Sequence, residues 1–143
     1  MDTEKLTAKE YLSQAYRIDQ RINSKLEQVQ SLRELATKAT ATLSDMPRSP
    51  SPSHHRMEDF IDKAMDLESE INADLKALID LKREVATIIK CVERTELQTI
   101  LEMRYLCFET WEEIAVALHY DLRHIHRLHG RALEEVDLIR RRQ

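Results

Sequence analysis

Apolar positions in the first third of the chain recur in alternating steps of three and four. Leu12, Ala15, Ile18, Ile22, Leu26, Val29, Leu32, Ala36, Ala39 and Leu43 form one stripe. That is the period of a helix packed along its full length. It predicts a helix from about Lys5 to Ser44. Thr37, Thr40 and Thr42 weaken its last turns, because β-branched side chains lose rotamer freedom in a helix. Residues 45–56 break the period. They hold all three prolines of the chain, among serines and the pair His54-His55, and read as an irregular linker. A second stripe follows: Phe60, Ile61, Ala64, Leu67, Ile71, Leu75, Leu78, Ile79, Val85, Ile88, Ile89 and Val92. It predicts a helix from about Met57 to Val92. Two helices of matched length across a short linker make a long antiparallel, coiled-coil-like hairpin over residues 1–93. Asp19 and Lys82 interrupt its seams. Such a hairpin has little core of its own. Burying its stripe against a second copy removes more apolar surface from water, so a homo-oligomer through the hairpin is expected.

The pattern changes in residues 94–143. Thr95 with Gln98 has the form of a capping box, ahead of Leu97, Ile100, Leu101 and Tyr105 at helical spacing. Thr110 with Glu113 is a second such box, ahead of Ile114, Ala115 and Leu118. Trp111 is expected to anchor this short helix against the one before it. His119-Tyr120 makes a turn, and Asp121 suits the N-cap of a third helix. At 100° per residue, Ile125, Leu128, Ala132 and Val136 share the core side of that helix. Arg123, Arg127 and Arg131 step by four along the other side, flanked by His124 and His126. No acidic residue lies between Leu122 and Leu133. Two capped helices joined by a short turn, the second carrying a basic ridge, predict a C-terminal helix-turn-helix that offers the ridge to double-stranded DNA.

Residues 96–136 resemble region 4 of bacterial sigma factors, the part that reads the promoter −35 element. The resemblance rests on Arg104-Tyr105-Leu106, Thr110-Trp111-Glu112-Glu113-Ile114-Ala115, Leu118, Ile125 and Leu128-His129-Gly130-Arg131-Ala132-Leu133. Upstream, Thr7-Ala8-Lys9-Glu10-Tyr11-Leu12, Leu43-Ser44-Asp45-Met46-Pro47 and Asp80-Leu81-Lys82-Arg83-Glu84 look like a family of small phage and prophage proteins of Gram-positive bacteria. Those proteins combine a coiled-coil front half with a sigma-like end. Where that family often has Gly in the turn and before the second helix, this chain has His119 and Phe108. Carried over residue by residue, the resemblance implies that Leu122, Arg123, His126 and Arg127 face the groove. The helical wheel independently nominates Arg123, Arg127 and Arg131, the last towards a phosphate. No stretch resembles the part of a sigma factor that melts the promoter. The implied form is therefore an activator working with host RNA polymerase.

Composition sharpens this picture in a few places. The chain has 143 residues, a formal net charge of −4 and 34% charged residues, against 5% aromatic and a single Gly. That is the make-up of long helices rather than of a sheet protein, and the fold class expected is all-α. A negative total argues against a non-specific nucleic-acid coat. It leaves room for a local reading helix, because attraction depends on the charge of the contacting face. No apolar run is long enough to span a bilayer, and no signal-peptide core is apparent, so a cytoplasmic protein without membrane contact is expected. Cys91 and Cys107 show no metal-type pairing and read as reduced, buried thiols. His119, His124, His126 and His129 cluster in sequence, but His124 and His126 diverge by about 200° on a helix. No metal site is expected, and His54-His55 reads as polar linker. One Gly cannot build a nucleotide-cradling loop, Glu112-Glu113 serves the helix dipole, and no nucleophile–base pair has a supporting spacing. Neither an enzyme nor a cofactor is expected.

The leading expectation is thus a sequence-specific DNA-binding regulator of phage genes, with Leu122, Arg123, His124, His126, Arg127 and Arg131 as its DNA-binding residues. The runner-up is a DNA-packaging protein resembling terminase small subunits, which usually carry the DNA-binding part first. The third is an interaction module that holds polymerase or a sigma factor without touching DNA.

Overall fold

The computed structural model describes residues 6–44 and 52–143. The described residues are helical, with no strand among them. Five helices follow in order: α1 (Ala8–Ser44), α2 (Pro52–Lys90), α3 (Thr95–Leu101), α4 (Trp111–Leu118) and α5 (Leu122–Arg141). A single π-helical turn, Glu102–Leu106, continues α3. The all-α class and the long N-terminal pair of helices agree with the hydrophobic periods. The chain divides into two compact units, Asp19–Ala77 on its own and Met1–Ile18 together with Leu78–Gln143.

In the unit Asp19–Ala77, α1 and α2 run antiparallel. Lys25 pairs with Asp74 at 2.6 Å and with Glu70 at 3.6 Å. One turn-pair further along, Arg33 pairs with Glu68, and Thr40 meets Met57. Partners thus climb α1 while descending α2. The seam between the charges is narrow. Ile22, Val29, Ala36, Ala64 and Ile71 are buried, whereas Leu26, Leu35, Met65 and Leu75 stay exposed. Two helices can cover only one face of each other, so the flanks of both stripes remain in water.

The second unit holds the main core. Ala8, Tyr11 and Leu12 of α1 and Val85, Ile88, Ile89 and Val92 around the end of α2 join Leu97, Ile100, Leu101, Tyr105, Ile114, Ala115, Ile125, Leu128, Ala132 and Val136 in one apolar cluster. Each fully buried Leu or Ile there stabilises by about 1.5–3 kcal/mol relative to exposure. Polar contacts add register. Arg140 donates to the Leu6 carbonyl at 2.8 Å and lies 4.5 Å over the Tyr11 ring, and the Ala8 N–H donates to Asp137 at 3.2 Å.

Helix ends show where periodicity and geometry part. The start of α1 carries an unforeseen cap: the Glu10 N–H donates to Thr7 Oγ1 at 3.2 Å, and that hydroxyl donates to the Glu10 carboxylate at 3.1 Å. The expected linker, 45–56, is shorter than foreseen. Pro52 opens α2, so His54 and His55 are helical rather than linker. Pro suits this first position because its missing N–H needs no partner there. Pro47 and Pro50 lie outside the described residues. The Thr95 cap is a correction. Arg94 precedes α3 in extended conformation with no side-chain cap, which places Thr95 inside the helix. Gln98 turns away and donates to the Val92 carbonyl at 2.5 Å and the Lys90 carbonyl at 3.3 Å. Those carbonyls lie at the last residue of α2 and two residues beyond it, where backbone acceptors lack the partner a continuing helix would supply, so they compete successfully for the amide. The cysteines are a second correction. Cys91 and Cys107 are free but exposed, each at the first position past a helical segment.

Candidate nucleic-acid interface

The turns around α4 position the basic ridge. The Thr110 hydroxyl accepts from the Glu113 N–H at 3.1 Å, as its sequence predicts. Before it, the π turn closes with Cys107 N–H on the Glu102 carbonyl, and Phe108 sits at φ 57°. After it, His119 adopts φ 60°, ψ 40°. The Tyr120 N–H then reaches the Ala115 carbonyl at 3.0 Å and the His119 N–H the Val116 carbonyl at 3.3 Å. These two bonds close the helix in the manner that usually takes Gly at the left-handed position. Phe108 and His119, the two residues singled out above for standing in place of a frequent Gly, are therefore both left-handed. His adopts this region more readily than most residues, and a bulky Phe is a costlier occupant. Packing holds Phe108. Its ring meets Tyr16 edge-on at 5.6 Å, and Lys82 lies 4.6 Å over it.

Asp121 then caps α5, its carboxylate accepting from the His124 N–H at 2.7 Å. The next four turns sort as the wheel predicts. Ile125, Leu128, Ala132 and Val136 are buried against α3 and α4. Arg123, His126, Arg127 and Arg131 are exposed, and Leu122 is 41% exposed at the start of the helix. Among the described residues no carboxylate forms an ion pair with Arg123, Arg127 or Arg131. Gly130 lies on the exposed side, and a Cβ there would meet nothing within 4 Å. The six candidate residues are not alike. His124 is half-buried and its Nδ1 lies 3.3 Å from an Arg127 guanidinium nitrogen. His126 packs at 5.2 Å against Trp111 and is still exposed.

Trp111 does anchor α4 to the preceding helical segment. The Arg104 guanidinium stacks 4.5 Å over its ring while donating to the Glu109 carbonyl at 2.9 Å. Besides His126, the Trp111 ring also meets His129, at 4.4 Å. His129 is a residue the sequence reading passed over as a structural element. It is buried, and its Nε2 lies 2.6 Å from the Tyr105 hydroxyl. Burial, with the charges of Lys9 and Arg104 adding to it, pushes the imidazole down to about 4. Burial pushes the Tyr105 phenol up to about 12. Imidazole and phenol are therefore both neutral, and one hydrogen bond joins them, its direction set by the imidazole tautomer. The signal was present: His129 falls four residues after Ile125 and seven before Val136, on the apolar stripe. Among the described residues, no three His, Cys, Asp or Glu side chains group as metal ligands. No helix among them is long and apolar enough to cross a membrane.

The ridge offers three guanidinium forks from one helix face, spaced a turn apart. Such forks donate paired hydrogen bonds to phosphates, carboxylates or base edges. No family model, curated protein or solved structure matches the chain.

Proposed function

We propose that residues 94–143 form a helix-turn-helix whose α5 enters the major groove of double-stranded DNA. In this reading the chain is a sequence-specific transcriptional regulator of the phage and prophage type, working with host RNA polymerase. The observation that carries it is the Arg ridge on the exposed side of α5, in no ion pair with a carboxylate among the described residues and presented by capped helices with a tight turn between them. The net charge of the whole chain is negative, so this ridge is a local feature, with no acidic residue between Leu122 and Leu133. Arg123 and Arg127 lie in the N-terminal half of α5, the end that meets base edges in helix-turn-helix proteins. A guanidinium there can donate to guanine O6 and N7, worth about 1–3 kcal/mol of discrimination. Arg131 lies one turn later, where a phosphate is the expected partner. His126, beside Trp111, and Leu122 complete the contacting face.

The test is selection of a preferred site from random duplexes, followed by titration at several salt concentrations. Arg127→Ala is expected to relax preference for the selected site. Arg131→Ala is expected to weaken all duplexes alike and to reduce the salt slope by about one unit. If no site emerges, or both variants lose affinity without regard to sequence, α5 is not a reading helix. One observation favours a second reading, a protein-binding module. Val116 is 75% exposed on α4, beside the exposed Glu112 and Glu113. Binding of polymerase that survives the loss of all DNA binding would support that reading instead.

A further inference from the structure

Arg127 is the ridge residue whose guanidinium has a built neighbour on its own protein. Its Nη2 donates towards His124 Nδ1 at 3.3 Å. The His124 ring is itself held. Its backbone N–H is fixed by Asp121 at 2.7 Å, and the Tyr120 ring meets it nearly perpendicular, at 80° and 4.5 Å. Tyr120 is held in turn, because its hydroxyl donates to Glu96 Oε2 at 2.7 Å. The other oxygen of that carboxylate, Oε1, takes Arg94 at 3.2 Å. A line of contacts thus runs from α3, through the turn, to the exposed guanidinium.

We propose that Glu96, Tyr120 and His124 are positioning residues that aim the Arg127 side chain before DNA arrives. This rests on the DNA-binding reading above and deepens it. It also changes the role of His124, which orients Arg127 rather than reading a base. The physical reason is entropic. A free Arg side chain loses its rotamer freedom on binding, and one already held in the binding pose loses less. One guanidinium N–H is used internally, and the other N–H groups of the fork remain for a ligand. An unprotonated Nδ1 is required, so the second ring nitrogen of His124 carries the hydrogen.

Two arms test this. In the free protein, the Nε–H order parameter of Arg127 is measured by NMR. It should fall in Tyr120→Phe and in Glu96→Ala, and stay near the wild-type value in Glu96→Gln, whose amide oxygen still accepts from Tyr120. Unchanged order in both disruptive variants, with a wild-type thermal midpoint showing that the fold is kept, overturns the proposal. In the second arm, affinities for the selected duplex and a scrambled duplex are compared. Tyr120→Phe should weaken the selected duplex by about three- to tenfold, in line with the ordering cost of one long side chain, and leave the scrambled duplex unaltered. That loss should vanish when Arg127→Ala is already present. Equal losses with and without Arg127 overturn the proposal while leaving DNA binding intact. If the wild-type chain selects no duplex, the DNA-binding reading fails, and the NMR arm still decides whether Arg127 is held.

Discussion

Two residues at positive φ carry opposite consequences. His119 is exposed and touches nothing that its side chain needs. His119→Gly should therefore relieve the left-handed strain and stabilise by about 0.5–1 kcal/mol, net of the extra freedom Gly gives the unfolded chain. Phe108→Gly relieves the same strain but removes the ring that packs on Tyr16 and under Lys82. It should destabilise by about 1 kcal/mol or more, since aromatic and cation–π contacts are lost with the buried area. Urea titration of both variants checks the contrast. Two stabilised variants would mean the Phe108 contacts contribute nothing. His129 supplies a pH dependence. Its folded value is about 4 against an ordinary 6.5. Below about 6.5 the unfolded chain takes up a proton that the folded chain refuses. Stability should thus fall as pH drops from 6.5 towards 4 and level off beneath, by on the order of 3 kcal/mol in all. His129→Gln should flatten that slope. A slope of equal size in the variant would place its origin in other groups.

At the level of elements, caps rather than propensity decide where the short helices begin. α4 has eight residues, too few to be stable as an isolated helix. It depends on Thr110 at one end and the His119 turn at the other. Thr110→Ala should cost about 1 kcal/mol. Thr95→Ala should stay within about 0.5 kcal/mol, because Thr95 lies inside α3 and caps nothing. Thermal or chemical unfolding of the pair tests this, and similar losses would return Thr95 to a capping role. The boundaries expected from periodicity were close for α1 and α4. They failed at α2, where Pro52 could open a helix that its neighbouring prolines and serines disguised. Apolar spacing reports which face is buried. It is silent on which polar group wins a competition for free backbone groups, and that competition set Gln98.

On the scale of the whole chain, two compact units bury apolar surface to different degrees. In the unit Asp19–Ala77, Leu26, Leu35, Met65 and Leu75 are exposed. If self-association buries them, sedimentation should show a dimer or larger species at micromolar concentration. Met65→Glu together with Leu75→Glu should dissociate it. Leu78 is a poor probe, because it is buried and its replacement would damage the fold. A monomer at high concentration would mean that these side chains remain in water. The main core sits elsewhere, and it crosses the expected boundary between residues 93 and 94. Ala8 and Leu12 pack in the same cluster as Leu97 and Ile125.

The helical class, the two long stripes, the Thr110 and Asp121 caps and the outward face of α5 were all legible along the chain, because each depends on residues within one or two turns of each other. The ridge of Arg123, Arg127 and Arg131 belongs to this group, since its spacing alone separates it from Ile125 and Leu128. What needed the folded chain involves partners distant in sequence. Tyr105 and His129 are 24 residues apart, as are Glu96 and Tyr120. Tyr16 supports Phe108 from α1. No local period encodes which of several polar side chains will be buried together, because that choice is made by the packing of whole helices. The contact of His124 with Arg127 is local, three residues along one helix, but the Glu96 carboxylate that meets Tyr120 beside it is brought there from α3 only by that packing.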